Sequence, residues 1–289
     1  MPTRTRPSRT GAPKNGRLAG VLVGEPSRFA LLSHLSAAAP GLLPSRSALE
    51  RLSSPDRTRE FLRGAGLPVC EAAPERRPLD LFAFFRDEAF VPCGIAARRT
   101  LARGAVASVQ PCGLGSACER GAYVLAERAA RALGLERGLL QFELTETGTD
   151  LALVGVQAGF ADLLGATHVA RLAYGKSPLQ AWLAHLAGAG GPFDEPALTP
   201  RATAGWLSLL PEQSGLFAGI EGLSRVRAVP GLADLWVEEP GRECAAGESD
   251  ARPLGYLWAE APDSAQLVER LLAARAALEV RVASPQRVA

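Results

Sequence analysis

Residues 138–157 read GLLQFELTETGTDLALVGVQ, and the rest of the chain is interpreted outward from this stretch. Two runs rich in apolar residues, Leu139 to Thr145 and Leu151 to Gln157, flank Thr147-Gly148-Thr149-Asp150. A glycine-containing turn between two such runs predicts an antiparallel hairpin. Upstream, Tyr123, Ala126, Ala130 and Leu133 recur at helical spacing. That predicts a helix over 117–133, ended by Gly134. Downstream, 163–174 and 178–187 have helical character, which places the hairpin between helices.

Farther out the signals vary in strength. Residues 1–17 form a basic tail rich in Pro, Ser, Thr and Arg, and such a composition predicts disorder. A βα pattern begins at Leu18, with a strand over 18–23 and a helix over 27–38. A second helix is expected over 54–63, opened by Ser54-Pro55-Asp56 and closed by the Gly64-Ala65-Gly66 cluster. Residues 74–80 are charged and contain proline, which reads as a loop, and 81–109 reads as short strands. Ser116 is the expected cap of the 117–133 helix. A Gly/Pro-rich linker spans 188–200. Beyond it, strands are expected over 206–210, 226–229, 235–238 and 255–260, then a helix over 264–278 and a last strand over 279–282. The fold class is α+β.

Composition excludes several kinds of function. A net charge of +2 creates no field that favours nucleic acid or an anionic surface. The basic tail lacks an aromatic residue to stack on a base, so no nucleic-acid partner is expected. No apolar run approaches the roughly 20 residues that span a bilayer, so no membrane partner is expected either. The arginines near the start are followed by no apolar core, which argues against a secretory leader and for a cytoplasmic location. Cys70, Cys93, Cys112, Cys118 and Cys244 form no C-x-x-C pair and read as ordinary thiols. Lys14 and Lys176 are the only lysines, against thirty arginines. Chemistry that needs two core lysines on nucleotide phosphates is thereby excluded.

Three stretches together resemble the ATP-grasp superfamily, of the carboxylate–amine and amino-acid ligase kind. The segment ALERLSSPDRTREFLRGAGLPV, residues 48–69, is similar to the family's entry helix and its G-L-P ending, with Arg57 at the usual lysine position. Residues 126–188 follow its helix–hairpin–helix core, with Gly138 to Thr145 close to a G-x-x-h-x-E-h-x strand. Residues 201–283 are similar to its C-terminal module, with Pro211 to Gly222 and Val229-Pro230-Gly231 in the expected order. The resemblance implies a partial ATP-grasp fold, a helix–β-hairpin–helix lobe, with a C-terminal α+β module like that of biotin carboxylase-like ligases. The organisation it implies is a tail at 1–17, a remnant of the N-terminal βα region at 18–70, a reduced grasp lobe at 71–200 and the module at 201–289.

The resemblance also implies a site. Family members use ATP and magnesium to convert a carboxylate to an acyl phosphate, with metal ligands on the two hairpin strands. Glu143 stands at the first metal position, and Gln157 stands at the position of the family's Asn. These two are the candidate cofactor-binding and metal-binding residues. The second Glu position is Gly155 and the family's Arg position is Gly159. One carboxylate and one amide make a poor magnesium site, because that ion wants hard oxygen ligands in near-octahedral array. Gly113-Leu114-Gly115-Ser116 is the closest approach to a phosphate loop. Asp150 and Asp162 are further carboxylates near in sequence.

Two functions follow from this pattern. The first is a pseudoenzyme acting as a binding or partner subunit, in a homo-oligomer or with a full-length ATP-grasp ligase. The second is an active ATP-dependent carboxylate–amine ligase with a rebuilt nucleotide and metal site, using ATP and Mg. Chemistry at Cys112 or Cys118 has only their turn-rich setting behind it.

Overall fold

The computed structural model describes residues 44–71, 78–86, 88–101, 106–148, 150–187, 199–246 and 253–283. The strand and helix expected over 18–23 and 27–38, the tail, and most of the linker at 188–200 lie outside these residues. Two short helices, α1 (Arg46–Arg51) and α2 (Pro55–Gly64), lead into three strands, β1 (Pro78–Arg86), β2 (Ala89–Thr100) and β3 (Val106–Gln110). Helix α3 (Ser116–Leu133), the hairpin β4 (Gly138–Thr147) and β5 (Asp150–Ala158), and helices α4 (Leu163–Tyr174) and α5 (Pro178–Leu186) follow. Then come β6 (Thr203–Leu209), β7 (Gly215–Glu221), α6 (Leu223–Arg227), β8 (Leu232–Val237), β9 (Glu243–Cys244), β10 (Gly255–Ala261), α7 (Ser264–Ala276) and β11 (Glu279–Ala283).

Local chemistry fixes the helix ends. Ser54 accepts a hydrogen bond from the Arg57 amide and Pro55 opens α2, satisfying a free N–H and removing another. Helix α3 stops where Gly134 takes φ 71°, a conformation glycine adopts without cost. Arg51 donates to the Ala132 and Leu133 carbonyls, so the exposed end of α3 is satisfied from α1.

One antiparallel sheet of eight strands, ordered β5-β4-β1-β2-β3-β6-β10-β8, runs through the molecule. Strand β1 lies between β4 and β2, with Leu81 opposite Phe142 on one side and Ile95 on the other. Successive side chains of a strand point to opposite faces. Leu79, Leu81, Ala83 and Phe85 therefore pack under Ala126 and Leu133 of α3. Phe82 and Phe84 pack on the other face with Val169, Ala173 and Trp182 from α4 and α5. A third core joins Leu267 and Leu271 of α7 to Leu207 and Leu257. Pairing of β3 with β6 carries the sheet across into residues 201–289, so the expected lobe and module share one sheet. A smaller sheet, β11-β7-β9, sits beside it.

The structure changes three expectations. Residues 78–80 are not loop but the start of β1, and proline is tolerated there because it occupies the first strand position. Residues 226–229 are not a strand: Val226 lies in α6, buried, in a short apolar run whose period decides nothing. Gly222 opens that helix at φ 89°, where a side chain would strike the Ala277 carbonyl. The cap of α3 is Gly115 rather than Ser116, and no side chain caps it.

Phe142 is fully buried beneath α3 and meets Phe90 at a centroid distance of 6.0 Å. Phe142→Ala is expected to cost about 3–5 kcal/mol, read as a lower urea midpoint with unchanged slope.

Candidate functional site

The same alternation that buries Leu140, Phe142 and Leu144 beneath α3 sends Gln141 and Glu143 to the opposite face. On β5, Gln157 lies opposite Gln141, and Gly155 lies opposite Glu143. The two residues expected to bind cofactor and metal, Glu143 and Gln157, are thus on one face of neighbouring strands. On the other side of β4, Asp80 of β1 is the register partner of Glu143. Arg98 of β2 stands diagonally beyond it, two residues from Ala96, which pairs with Asp80.

Arg98 binds both carboxylates. Its Nε sits 3.1 Å from Asp80 Oδ2, a charge contact whose alignment falls short of a hydrogen bond. Its terminal nitrogen lies 3.7 Å from Glu143 Oε2. Asp80 also accepts a 3.0 Å hydrogen bond from Gln141 Nε2, and Gln141 Oε1 accepts one from the Ala161 amide. Gln157 Nε2 is buried without a hydrogen-bond partner. Asp80 and Arg98 were not foreseen from sequence. The available signal was a lone charge in the apolar run LDLFAFF, because an aspartate is almost never fully buried unless it is paired.

Burial pushes the Asp80 carboxyl up to about 6; Arg98 opposes this, Glu143 adds to it, and Gln141 opposes it. Its two oxygens are in near-complete burial, whereas Glu143 is about a third exposed.

Asp162 is not part of this group. It caps α4 by accepting the Gly165 amide at 2.9 Å, and it also accepts from Trp206 Nε1 at 2.6 Å and from the Ser208 hydroxyl at 3.3 Å. Burial raises its pKa, and the hydrogen bonds from Gly165 and Trp206 oppose the rise. Asp162 therefore fastens α4 to β6. Asp150 starts β5 and is exposed. At the Gly113–Ser116 turn, Glu119 lies in the first turn of α3 and accepts from the Tyr123 hydroxyl, so negative charge already faces the helix start. Cys112 is buried and Cys118 half-buried, and neither is in a disulfide. Among the described residues no helix is long and apolar enough to cross a membrane.

Residues 208–283 match the family model of L-amino acid ligase C-terminal domain 2. The L-amino acid ligase of Bacillus licheniformis superposes with a TM-score of 0.71 at 14% identity, over 92% of this chain and 81% of that one. The chain has the ATP-grasp ligase fold. N5-carboxyaminoimidazole ribonucleotide synthetase from Thermotoga maritima gives a TM-score of 0.67 at 16% identity, over 88% of this chain and 79% of that one. The biotin carboxylase domain of Hydrogenobacter thermophilus 2-oxoglutarate carboxylase, a dimer with MgADP, ADP and bicarbonate, gives 0.66 at 10% identity, over 89% and 73%. No curated protein matches the chain in sequence.

The ATP-grasp fold implies nucleotide and magnesium, and the residues at the hairpin do not fit them. Glu143 is engaged by Arg98, and the position facing it is Gly155, which brings no ligand. Gly159, at the family's arginine position, has φ 91°, a region that side-chain-bearing residues avoid. Among the described residues no three of His, Cys, Asp and Glu converge to hold a metal ion. Lys176 follows Gly175 at the C-terminal end of α4, and Lys14 lies outside the described residues.

The raised pKa of Asp80 sets a pH dependence. The folded protein keeps a proton that the unfolded chain releases between its ordinary value of 3.8 and about 6. Stability therefore falls as pH rises through that window, by on the order of 3 kcal/mol. In Asp80→Asn this component is expected to vanish, so urea denaturation at pH 4 and pH 7 should differ between the two proteins by about that amount.

Proposed function

We propose that this chain is a non-catalytic ATP-grasp protein that works as a binding or partner subunit. The observation that carries the reading is the engagement of Glu143 by Arg98 opposite a bare Gly155. A divalent ion bridging phosphates needs carboxylates free to face it. Here the cationic partner is an arginine of the same sheet. Loss of the second carboxylate and of the arginine at Gly159 points the same way, since a phosphoryl group in transfer needs fixed positive charge around it.

Support for association comes from the surface. Leu164 on α4 and Leu183 on α5, helices on the same face of the sheet, are each more than 40% exposed. Exposed apolar side chains of this size are ordinary singly and mark contact surfaces when they gather. We place the partner as a second copy of the chain or a catalytically complete ATP-grasp ligase.

Isothermal titration with MgATP up to about 1 mM, the upper end of typical KM values, is expected to show no saturable heat. No ADP release is expected with any member of an amino-acid panel. Titratable binding, together with ADP release abolished by Glu143→Ala, would instead establish the ligase with a rebuilt site. Light scattering after size exclusion is expected to give a mass above the 30.3 kDa of one chain. A monodisperse monomer would remove the homo-oligomer from the proposal.

A further inference from the structure

The carboxylates of β1 and β4 share a positive charge supplied from within the chain. We propose that the Arg98 guanidinium is a built-in counter-cation, held between Asp80 and Glu143 in place of a divalent ion, and that its removal frees those two carboxylates to take one. The inference rests on the non-catalytic reading and specifies what became of its metal position.

The geometry is that of a cation and its ligands. Asp80 and Glu143 are direct register partners on adjacent strands, so their side chains stand on one face. Two carboxylates so placed repel unless a positive charge lies between them. Arg98 reaches both, at 3.1 Å and 3.7 Å, from a diagonal position on the next strand. The remaining polar groups fit the same arrangement. Gln141 is fixed by donating to Asp80 and accepting from Ala161. Gln157 shares their face, and its buried Nε2 has no hydrogen-bond partner.

A guanidinium differs from a bound metal in one respect that matters for function. It neither dissociates nor loses its charge at any physiological pH, so the site holds its counter-charge permanently and independently of nucleotide or magnesium. The chain then keeps this strand face ordered with no cofactor.

The test compares wild type, Arg98→Met, Arg98→Ala and the double variant Arg98→Met with Glu143→Gln, each checked for fold by circular dichroism and titrated calorimetrically with MnCl₂. Methionine keeps the apolar stem of Arg98 and removes its charge. The wild type is expected to show no saturable binding at about 1 mM Mn²⁺, and the Arg98 variants at least tenfold tighter apparent binding. The Glu143→Gln change is expected to abolish that gain. Folded Arg98 variants that bind Mn²⁺ no better than wild type overturn the proposal, as does a gain that survives Glu143→Gln. If neither Arg98 variant folds, the side-chain amide resonances of Gln141 and Gln157 in the wild type decide. Sharp signals at about 1 mM Mn²⁺ support the proposal, and paramagnetic broadening at both overturns it. The two readings fail separately: MgATP binding by the wild type overturns the non-catalytic reading, whereas Mn²⁺ binding without nucleotide overturns only this one.

Discussion

Strand β1 has to be apolar on both faces, and most of what is distinctive about this protein follows from that constraint. It is central, flanked by β4 and β2, and helices cover the sheet above and below it. A strand in that position reads as a near-continuous hydrophobic run, as Leu79 to Phe85 does apart from one residue. Asp80 breaks the run. A carboxylate there has no access to water, so it needs a positive partner and a hydrogen-bond donor close by. Arg98 and Gln141 are those two groups. Once Arg98 is committed to Asp80, its Nη2 also lies against Glu143, so the charge around the hairpin carboxylate depends on residues of the two neighbouring strands.

This chain of dependence explains what could be read from sequence and what could not. The hairpin, α2, α3, α4, α5 and α7 were legible because caps, stop signals and period act within a few residues. The two-sided strand gave no period to read, and its proline and aspartate, along with the charges just before it, suggested a loop. The identity of β7 and α6 was hidden for another reason: their conformation is set by contacts with β11 and α7 at the far end of the chain. Glu143 and Gln157 were singled out by the hairpin's resemblance to the family, and the register of β4 with β5 puts them on one face. Their electrostatic setting was not, because Asp80 and Arg98 reach them only through sheet order.

The contrast between Asp80 and Asp162 shows how little a residue type says by itself. Asp80 is buried and Asp162 half-buried, and in both the pKa is raised by desolvation. Asp162 spends its oxygens on the Gly165 amide, Trp206 and Ser208, and so joins α4 to β6. Asp80 faces a cation and another carboxylate. One holds elements together, and the other fixes the position of a cation inside the sheet.

Gly159 carries a consequence of a different kind. Its φ of 91° is a property of the path the backbone takes between the hairpin and Phe160, which is fully buried and packed at 5.0 Å from Phe82. An arginine at that position would demand a new path, and a new path would dislodge Phe160 from the core. The obstacle at this position therefore lies in the backbone path and not only in the side chain, so a substitution there would be felt first in the aromatic core of the sheet.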